Sequence, residues 1–303
     1  MRIGVDLGGT KIEGIVLADD GTVKDKIRID TPAENYTSTI NSVCELIKQL
    51  QVTDKLTVGI GTPGTLTFPE EVMKNSNSVC LNGRSLKKDI EAILGYRVRI
   101  ENDANCFVLS EAHYGAAKEV KNVFGVILGT GCGGGVVIDK KLLTGPNSIA
   151  GEWGHNSIPI SVHELIDGDR ICHCGRINCI ETVLSGRGLQ QSYFEQTGKQ
   201  ASPKSISQKA QANDDGAIEC LNRYSMQLAR CLSTVINILD PHMIVLGGGL
   251  SNISVLYDLV PKELAGHVFT DDAKTLLSRP RFGDASGALG AACLWEVNDK
   301  SLL

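Results

Sequence analysis

The sequence predicts a two-domain α/β protein whose strand-and-helix core occurs twice, the copies facing each other across a cleft. Three observations predict it. The chain begins twice: Ile3-Gly4-Val5-Asp6-Leu7-Gly8-Gly9-Thr10 opens it and Phe124-Gly125-Val126-Ile127-Leu128-Gly129-Thr130-Gly131 restarts it. Gly4, Val5, Leu7, Gly8, Gly14 and Val16 match Gly125, Val126, Leu128, Gly129, Gly135 and Val137 at one offset of 121 (125 − 4). Each copy is an apolar run, a glycine-rich bend and a second apolar run, which reads as strand, turn and returning strand. Finally, 303 residues is a length that two domains of ordinary size share comfortably.

Residues 3–30 read as three strands, with Asp19-Asp20-Gly21 as the hairpin turn between the second and third. Ile40, Val43, Ile47 and Leu50 give residues 36–50 the spacing of a helix. Leu56–Gly61 is a short buried strand closed by the turn Thr62-Pro63-Gly64. Val98–Ile100 is another, and it delivers Glu101-Asn102-Asp103 to the start of a helix over about 104–115. In α/β sheets ligands bind beyond the carboxyl ends of strands, and Asp6, Gly64 and Asp103 all sit at such ends. The second half repeats the plan: strands and hairpins over 123–144, a loop-rich insert over 145–181, and helices over 186–195, 203–212 and 215–239. A buried strand, Met243–Leu246, then runs into Gly247-Gly248-Gly249. The first domain is expected over residues 1–118, with a C-terminal helix (287–303) packed back on it, and the second over 119–286.

The chain is 42% hydrophobic and 21% charged, the composition of a soluble protein with ample core. No stretch approaches the roughly 18 apolar residues that span a membrane. Met1-Arg2 leads directly into a strand, so no export signal is expected and the cytoplasm is the expected compartment. A net charge of −5 argues against nucleic acid or an anionic membrane as the main partner. Seven of the ten cysteines are scattered through apolar sequence and read as small buried hydrophobes. Cys172, Cys174 and Cys179 cluster, which in a reducing compartment reads as metal before disulfide.

Asp6-Leu7-Gly8-Gly9-Thr10-Lys11 reads either as a phosphate loop or as a plain hairpin turn. Asp6 favours the loop, since a carboxylate at a strand end beside two glycines could hold hydrated Mg²⁺. Its counterpart in the other copy is Ile127. Gly129-Thr130-Gly131-Cys132-Gly133-Gly134-Gly135 is a second such loop. Gly247-Gly248-Gly249, ahead of an expected helix, is a third that would face a nucleotide. Asp103 is either the general base for a hydroxyl or the N-cap of the helix behind it. The three clustered thiols leave room for a fourth zinc ligand, His155 or His173, in a closed structural site. Glu152 and Glu181 flank that knot and suit sugar hydroxyls, which favour fixed charged acceptors.

Taken together, these motifs resemble the ROK family of sugar kinases and related repressors, within the actin-like ATPase, ribonuclease H-like superfamily, along essentially the whole chain. They are Asp6–Lys11, Glu101-Asn102-Asp103-Ala104-Asn105, Leu128–Gly131, Gly151-Glu152-Trp153-Gly154-His155, the cysteine loop ending in Glu181, and Leu246–Gly249. The resemblance implies ATP, Mg²⁺ and structural Zn²⁺, a homodimer, and phosphorylation of a hexose 6-hydroxyl with Asp103 as the base. It makes Gly64, Asn77, Asn102, Asp103, Glu152, His155 and Glu181 sugar contacts, and His155, Cys172, Cys174 and Cys179 zinc ligands. Gly8, Gly9, Thr10, Lys11, Gly129, Thr130, Gly131 and Gly247–Gly249 would hold the nucleotide. Asn178 stands where the family has glycine before the last cysteine, and asparagine tolerates the left-handed backbone. Lys74–Ser78 with Leu81-Asn82-Gly83, Gly151–Asn156 and Gly283–Gly287 are most similar to bacterial fructokinases that also accept mannose; N-acetylglucosamine kinase and glucokinase are the alternatives. A sugar-responsive repressor would carry a helix-turn-helix ahead of the first strand, which here starts at Ile3. A dinucleotide-dependent dehydrogenase would need an acidic residue at a set distance after its glycines, and none stands there.

Overall fold

The computed structural model describes residues 1–32, 35–51 and 55–297. Two compact units divide the chain. The first holds Met1–Lys118, Lys140–Ala150 and the chain from Phe282; the second holds Glu119–Asp139 and Gly151–Arg281. The second domain, expected as one unbroken run over 119–286, is thus interrupted by a segment of the first. Residues 298–303 of the expected C-terminal helix lie outside the described residues.

In the first unit the strands are β1 (Arg2–Leu7), β2 (Lys11–Leu17), β3 (Val23–Asp30), β4 (Thr57–Thr62), the small pair β5 (Thr65–Leu66) and β6 (Met73–Lys74), and β7 (Val98–Asn102). The helices α1 (Tyr36–Leu50), α2 (Leu86–Leu94) and α3 (Asp103–His113) alternate with them. The main sheet runs β3-β2-β1-β4-β7, antiparallel from β3 to β1 and parallel from β1 to β7. Helix α1 forms because Ile40, Val43, Ile47 and Leu50 make one apolar stripe and Asn35 caps it, accepting from Ser38 N at 2.9 Å. That stripe joins Val5, Ile12, Val58 and Ile60 in a single core.

In the second unit β8 (Val123–Leu128) and β9 (Cys132–Ile138) form the repeated hairpin; β10 (Lys141–Leu142) follows, in the segment belonging to the first unit. The insert holds the single turns α4 (Ile160–His163) and α5 (Glu181–Leu184). Then come α6 (Gly186–Thr197), α7 (Pro203–Gln211), α8 (Asp215–Leu239), β11 (Met243–Gly247), α9 (Leu256–Leu264) and β12 (Leu276–Ser278). The strands of this unit run β9-β8-β11-β12, with β8, β11 and β12 parallel. Asp214 caps α8, and Cys220, Leu221, Tyr224, Leu228, Cys231, Leu232, Val235 and Ile236 make its buried face. No helix among the described residues is long and apolar enough to cross a membrane.

The repeat is real in backbone terms but not at one offset. In the first hairpin Leu7 pairs with Ile12, leaving a four-residue turn; in the second Leu128 pairs with Cys132, leaving three. The returning strands therefore correspond at 120, and the partner of Gly14 is Gly134 rather than Gly135. The single offset of 121 holds only up to the turn.

Helix α10 (Ser286–Ala292) returns to the first unit and packs on β1, β4 and α3. The approach is close because Gly4 and Gly59 are cross-strand partners, so the sheet is bare where the helix lies. A Cβ on Gly4 would fall 1.9 Å from the Ala288 carbonyl oxygen, and one on Gly59 would fall 1.8 Å from that of Ala291. Trp295, just beyond, is buried and donates from Nε1 to the Val58 carbonyl at 2.7 Å.

Candidate functional site

In the first unit three parallel strands end together. Asp6 pairs with Gly61 and Gly61 with Glu101, so the chain leaves β1, β4 and β7 at one edge and presents the 8–11 turn, Gly64 and Asp103 there. The 8–11 turn is fastened by Gly8 N to Lys11 O (3.0 Å) and by Thr31, whose N–H and hydroxyl bond to Thr10 O (2.9 Å) and Gly8 O (2.8 Å). Gly9, Thr10 and Lys11 are left exposed. Ser78 Oγ stands beside Gly9, in a loop that Asn82 pins by bonding to both the N–H (2.8 Å) and the carbonyl (2.9 Å) of Ser76. Asn77 is exposed on that loop, and Gly64 packs against Lys74 and Ser76. Thr31 does not stand out in the sequence as a site residue, and Asn82 does so only within the Leu81-Asn82-Gly83 stretch; the side chains of both bond to backbone groups of their neighbours.

The cap of α3 is Asn102, not Asp103. Asn102 has extended backbone and its Oδ1 accepts from Asn105 N at 2.7 Å, while Asp103 is already the first helical residue. The Asp103 carboxylate accepts from Ala104 N at 2.8 Å. Its side chain stays open to solvent, while the protein packed around it pushes its carboxyl above the usual carboxylate range. Asp6 is pushed to about 6, first by burial, then by the negative charges of Asp103 and Glu13 against the weaker pull of Arg28. Glu101 is raised by burial, partly offset by the bond from Asn105 Nδ2 at 2.9 Å. Asp6 and Asp103, both held high and repelling each other beside a glycine turn, form a place where a divalent cation would relieve charge repulsion.

In the second unit Ile127 of β8 pairs with Gly247 of β11, so the 129–131 and 247–249 loops leave the sheet at the same edge. Gly248 is left-handed (φ 76°), and a Cβ there would lie 2.5 Å from Leu128 O. The helix expected directly after this loop is instead a 3₁₀ turn, Gly249–Asn252, and α9 starts only at Leu256. Ser251 bonds through both N–H (3.1 Å) and hydroxyl (2.7 Å) to Gly248 O, which winds the chain tightly and denies the loop an α-helical N-terminus.

The 129–131 loop is tied from below. Gly186 N reaches Gly129 O at 2.7 Å, and Glu181 Oε2 accepts from Cys132 N at 2.9 Å. Glu152 is half-buried, ahead of the turn Trp153–His155. The ligand atoms of His155, Cys172, Cys174 and Cys179 all lie within 4.8 Å of one another. Cys172 Sγ is 3.7 Å from His155 Nδ1, and the sulfurs of Cys174 and Cys179 are 3.6 Å apart. Ligands ~2.3 Å from a tetrahedral ion are themselves ~3.7 Å apart, so the donor set fits Zn²⁺ and leaves no open position. His173, the alternative fourth ligand, falls outside this quartet and turns Nδ1 to Glu181 Oε1 at 2.8 Å. Burial raises the thiols of Cys172 and Cys179, the latter to about 12, whereas an N–H from Arg176 holds exposed Cys174 at about 6. Asn178 is left-handed (φ 55°); its Nδ2 donates to Asp169 (2.7 Å) and its Oδ1 accepts from Arg170 N (2.8 Å), two bonds that glycine could not make.

A family profile described as "ROK family" matches residues 2–298. The chain is similar to the N-acetyl-D-glucosamine kinase of Pasteurella multocida, 36% identical over 301 residues covering 97% of this chain and 99% of the relative. Among solved structures it is similar to the ROK hexokinase from Thermus thermophilus (TM-score 0.85, 28% identity, 96% of each chain). It is also similar to a ROK family glucokinase from Streptomyces griseus, solved in complex with glucose and AMPPNP (TM-score 0.75, 25% identity, 97% of this chain and 98% of that one). The fructokinase likeness of the 74–83, 151–156 and 283–287 stretches finds no support in these relatives.

Proposed function

The chain belongs to the ROK family, and from that premise we propose that it is an ATP-dependent sugar kinase acting on the 6-hydroxyl of N-acetyl-D-glucosamine. The observation that carries the choice of sugar is the end-to-end similarity to a kinase of that name. Fructose, with mannose, is the competing acceptor, carried only by the three motifs named above.

Asp103 is the base. Its bond to its own helix start fixes the carboxylate, the capping duty falls to Asn102, and a raised pKa suits a group that takes a proton from an alcohol. Asn102, with its Oδ1 committed to Asn105 N, contacts the sugar through Nδ2. Gly64, Asn77, Glu152, His155 and Glu181 supply the remaining sugar contacts. The backbone of 8–11 and 129–131, with Lys11, holds the phosphates, and 247–249 lies toward the nucleoside. Mg²⁺, where bound, supplies charge neutralisation on the phosphates, and Asp6 is the residue to hold it. The loose transition state of phosphoryl transfer leaves the protein to position the reactants and stabilise charge. His155, Cys172, Cys174 and Cys179 hold Zn²⁺, which stiffens the insert carrying Glu181. A homodimer in the cytoplasm is the expected setting.

The test is ADP release with ATP·Mg²⁺ and a panel of N-acetylglucosamine, N-acetylmannosamine, glucose, mannose and fructose. N-acetylglucosamine should give the highest kcat/KM; fructose leading the panel would return the competing reading. Asp103→Asn should lower kcat by at least ~10² with sugar binding retained. Near-normal turnover in that variant would remove Asp103 as the base.

A further inference from the structure

We infer that His173 is a positioning residue for Glu181, fixing the carboxylate that contacts the sugar. The inference rests on the reading of Glu181 given above. Glu181 opens the single turn α5 and is clamped at both oxygens: Oε2 accepts the Cys132 N–H at 2.9 Å and Oε1 the His173 Nδ1–H at 2.8 Å. An ionised carboxylate has about four lone-pair sites, so this clamp leaves two for hydroxyl donors and stops the group from rotating.

A packing role does not account for His173. Its side chain is 68% exposed, while that of Glu181 is 15% exposed. Its ring meets the His155 ring edge-on, with centroids 5.1 Å apart. An exposed side chain ordinarily keeps its rotamer freedom, and this one is held by its neighbours in the chain. Cys172 and Cys174 flank it, so the thiol knot fixes the backbone on both sides and aims the imidazole. The three groups are packed together: Cys172 Sγ lies 3.9 Å from Glu181 Oε1, and His173 Nδ1 stands 3.9 Å from the same sulfur and 2.8 Å from the carboxylate. His173 thus turns a metal knot into a carboxylate holder, and the carboxylate in turn holds the N–H that closes the 129–131 loop.

The experiment is steady-state kinetics on the zinc-loaded enzyme with N-acetylglucosamine and ATP, with zinc content measured on every variant. His173→Ala should raise the sugar KM about 10-fold, leave kcat and the ATP KM within about 2-fold, and keep one zinc per chain. His173→Asn, whose Nδ2 can take the place of Nδ1, should restore the sugar KM to within about 3-fold of the parent. His173→Phe keeps a ring and lacks the donor, and should behave as the alanine variant does. An unchanged sugar KM in the alanine and phenylalanine variants overturns the proposal. So does a rise that tracks zinc loss and that asparagine fails to rescue. Glu181→Ala separates the two layers: an unaltered sugar KM there removes Glu181 as a sugar contact, whereas a raised one beside a silent His173→Ala removes His173 alone.

Discussion

Asp6→Asn should make the protein more stable at neutral pH while abolishing its activity. Folding raises the Asp6 carboxyl from 3.8 to about 6. The folded state thus binds this proton more tightly than the unfolded state does. The group's contribution to stability is full below pH 3.8 and is lost as pH rises through about 6. Holding the ionised carboxylate in that environment costs about 3 kcal/mol at neutral pH. Asparagine has the same shape and does not titrate, so it relieves that cost without opening a cavity. A unit of this size gains roughly 2–4 °C in Tm per kcal/mol, so the variant should melt roughly 6–12 °C above the parent at pH 8. The gap should shrink steadily toward pH 4. The assay is thermal melting by circular dichroism across pH 4–8 in EDTA. Asp103→Asn removes the largest of the charges acting on Asp6 and should recover part of the same stabilisation. A gap between Asp6→Asn and parent that is flat with pH, or a variant less stable at pH 8, would refute the argument.

The zinc reading predicts one zinc per chain, lost on chelation or in Cys179→Ser, with a lower Tm and preserved secondary structure outside 152–181; metal analysis and proteolysis of the insert check it. Gly59→Ala should cost at least ~3 kcal/mol or prevent folding, because the new methyl meets the Ala291 backbone at 1.8 Å, and urea denaturation measures it. Asn178→Ala should lower stability by about 1–3 kcal/mol through a strained φ and two lost bonds, with Asn178→Gly milder; melting of the pair reads out the order.

Much of this architecture was legible because period and punctuation coincide. The α1 stripe, the 215–239 helix and the two hairpins each show their pattern within one stretch of chain, and their bounds came out within a residue or two. The shortened second turn was not legible, since glycines on both sides let the alignment slide by one without losing matches. The Asn102 cap was hidden for a related reason. Asn-Asp offers two capping residues in a row, and only the backbone angles choose between them. The 3₁₀ turn after Gly247–Gly249 depends on one serine folding back on a carbonyl, a local choice with no periodic signature. At the site, the cysteine spacing exposed the thiol knot; spacing alone left His155 and His173 as alternatives, the family resemblance named His155, and the structure groups His155 with the three thiols. The sugar is the least legible of all, because an acetamido group and a hydroxyl are distinguished by contacts that no single motif encodes.

Helix α10, seated on the bare strip of Gly4 and Gly59, has a consequence for biogenesis. The strands it covers leave the ribosome first, and their lid leaves last, more than 160 residues after Lys118. At roughly 5–20 residues per second the opening sheet waits roughly 10–30 s with one face uncovered. The half that is made first is therefore completed last, and a nascent chain stalled before residue 282 would leave the glycine-lined face of β1 and β4 without its cover.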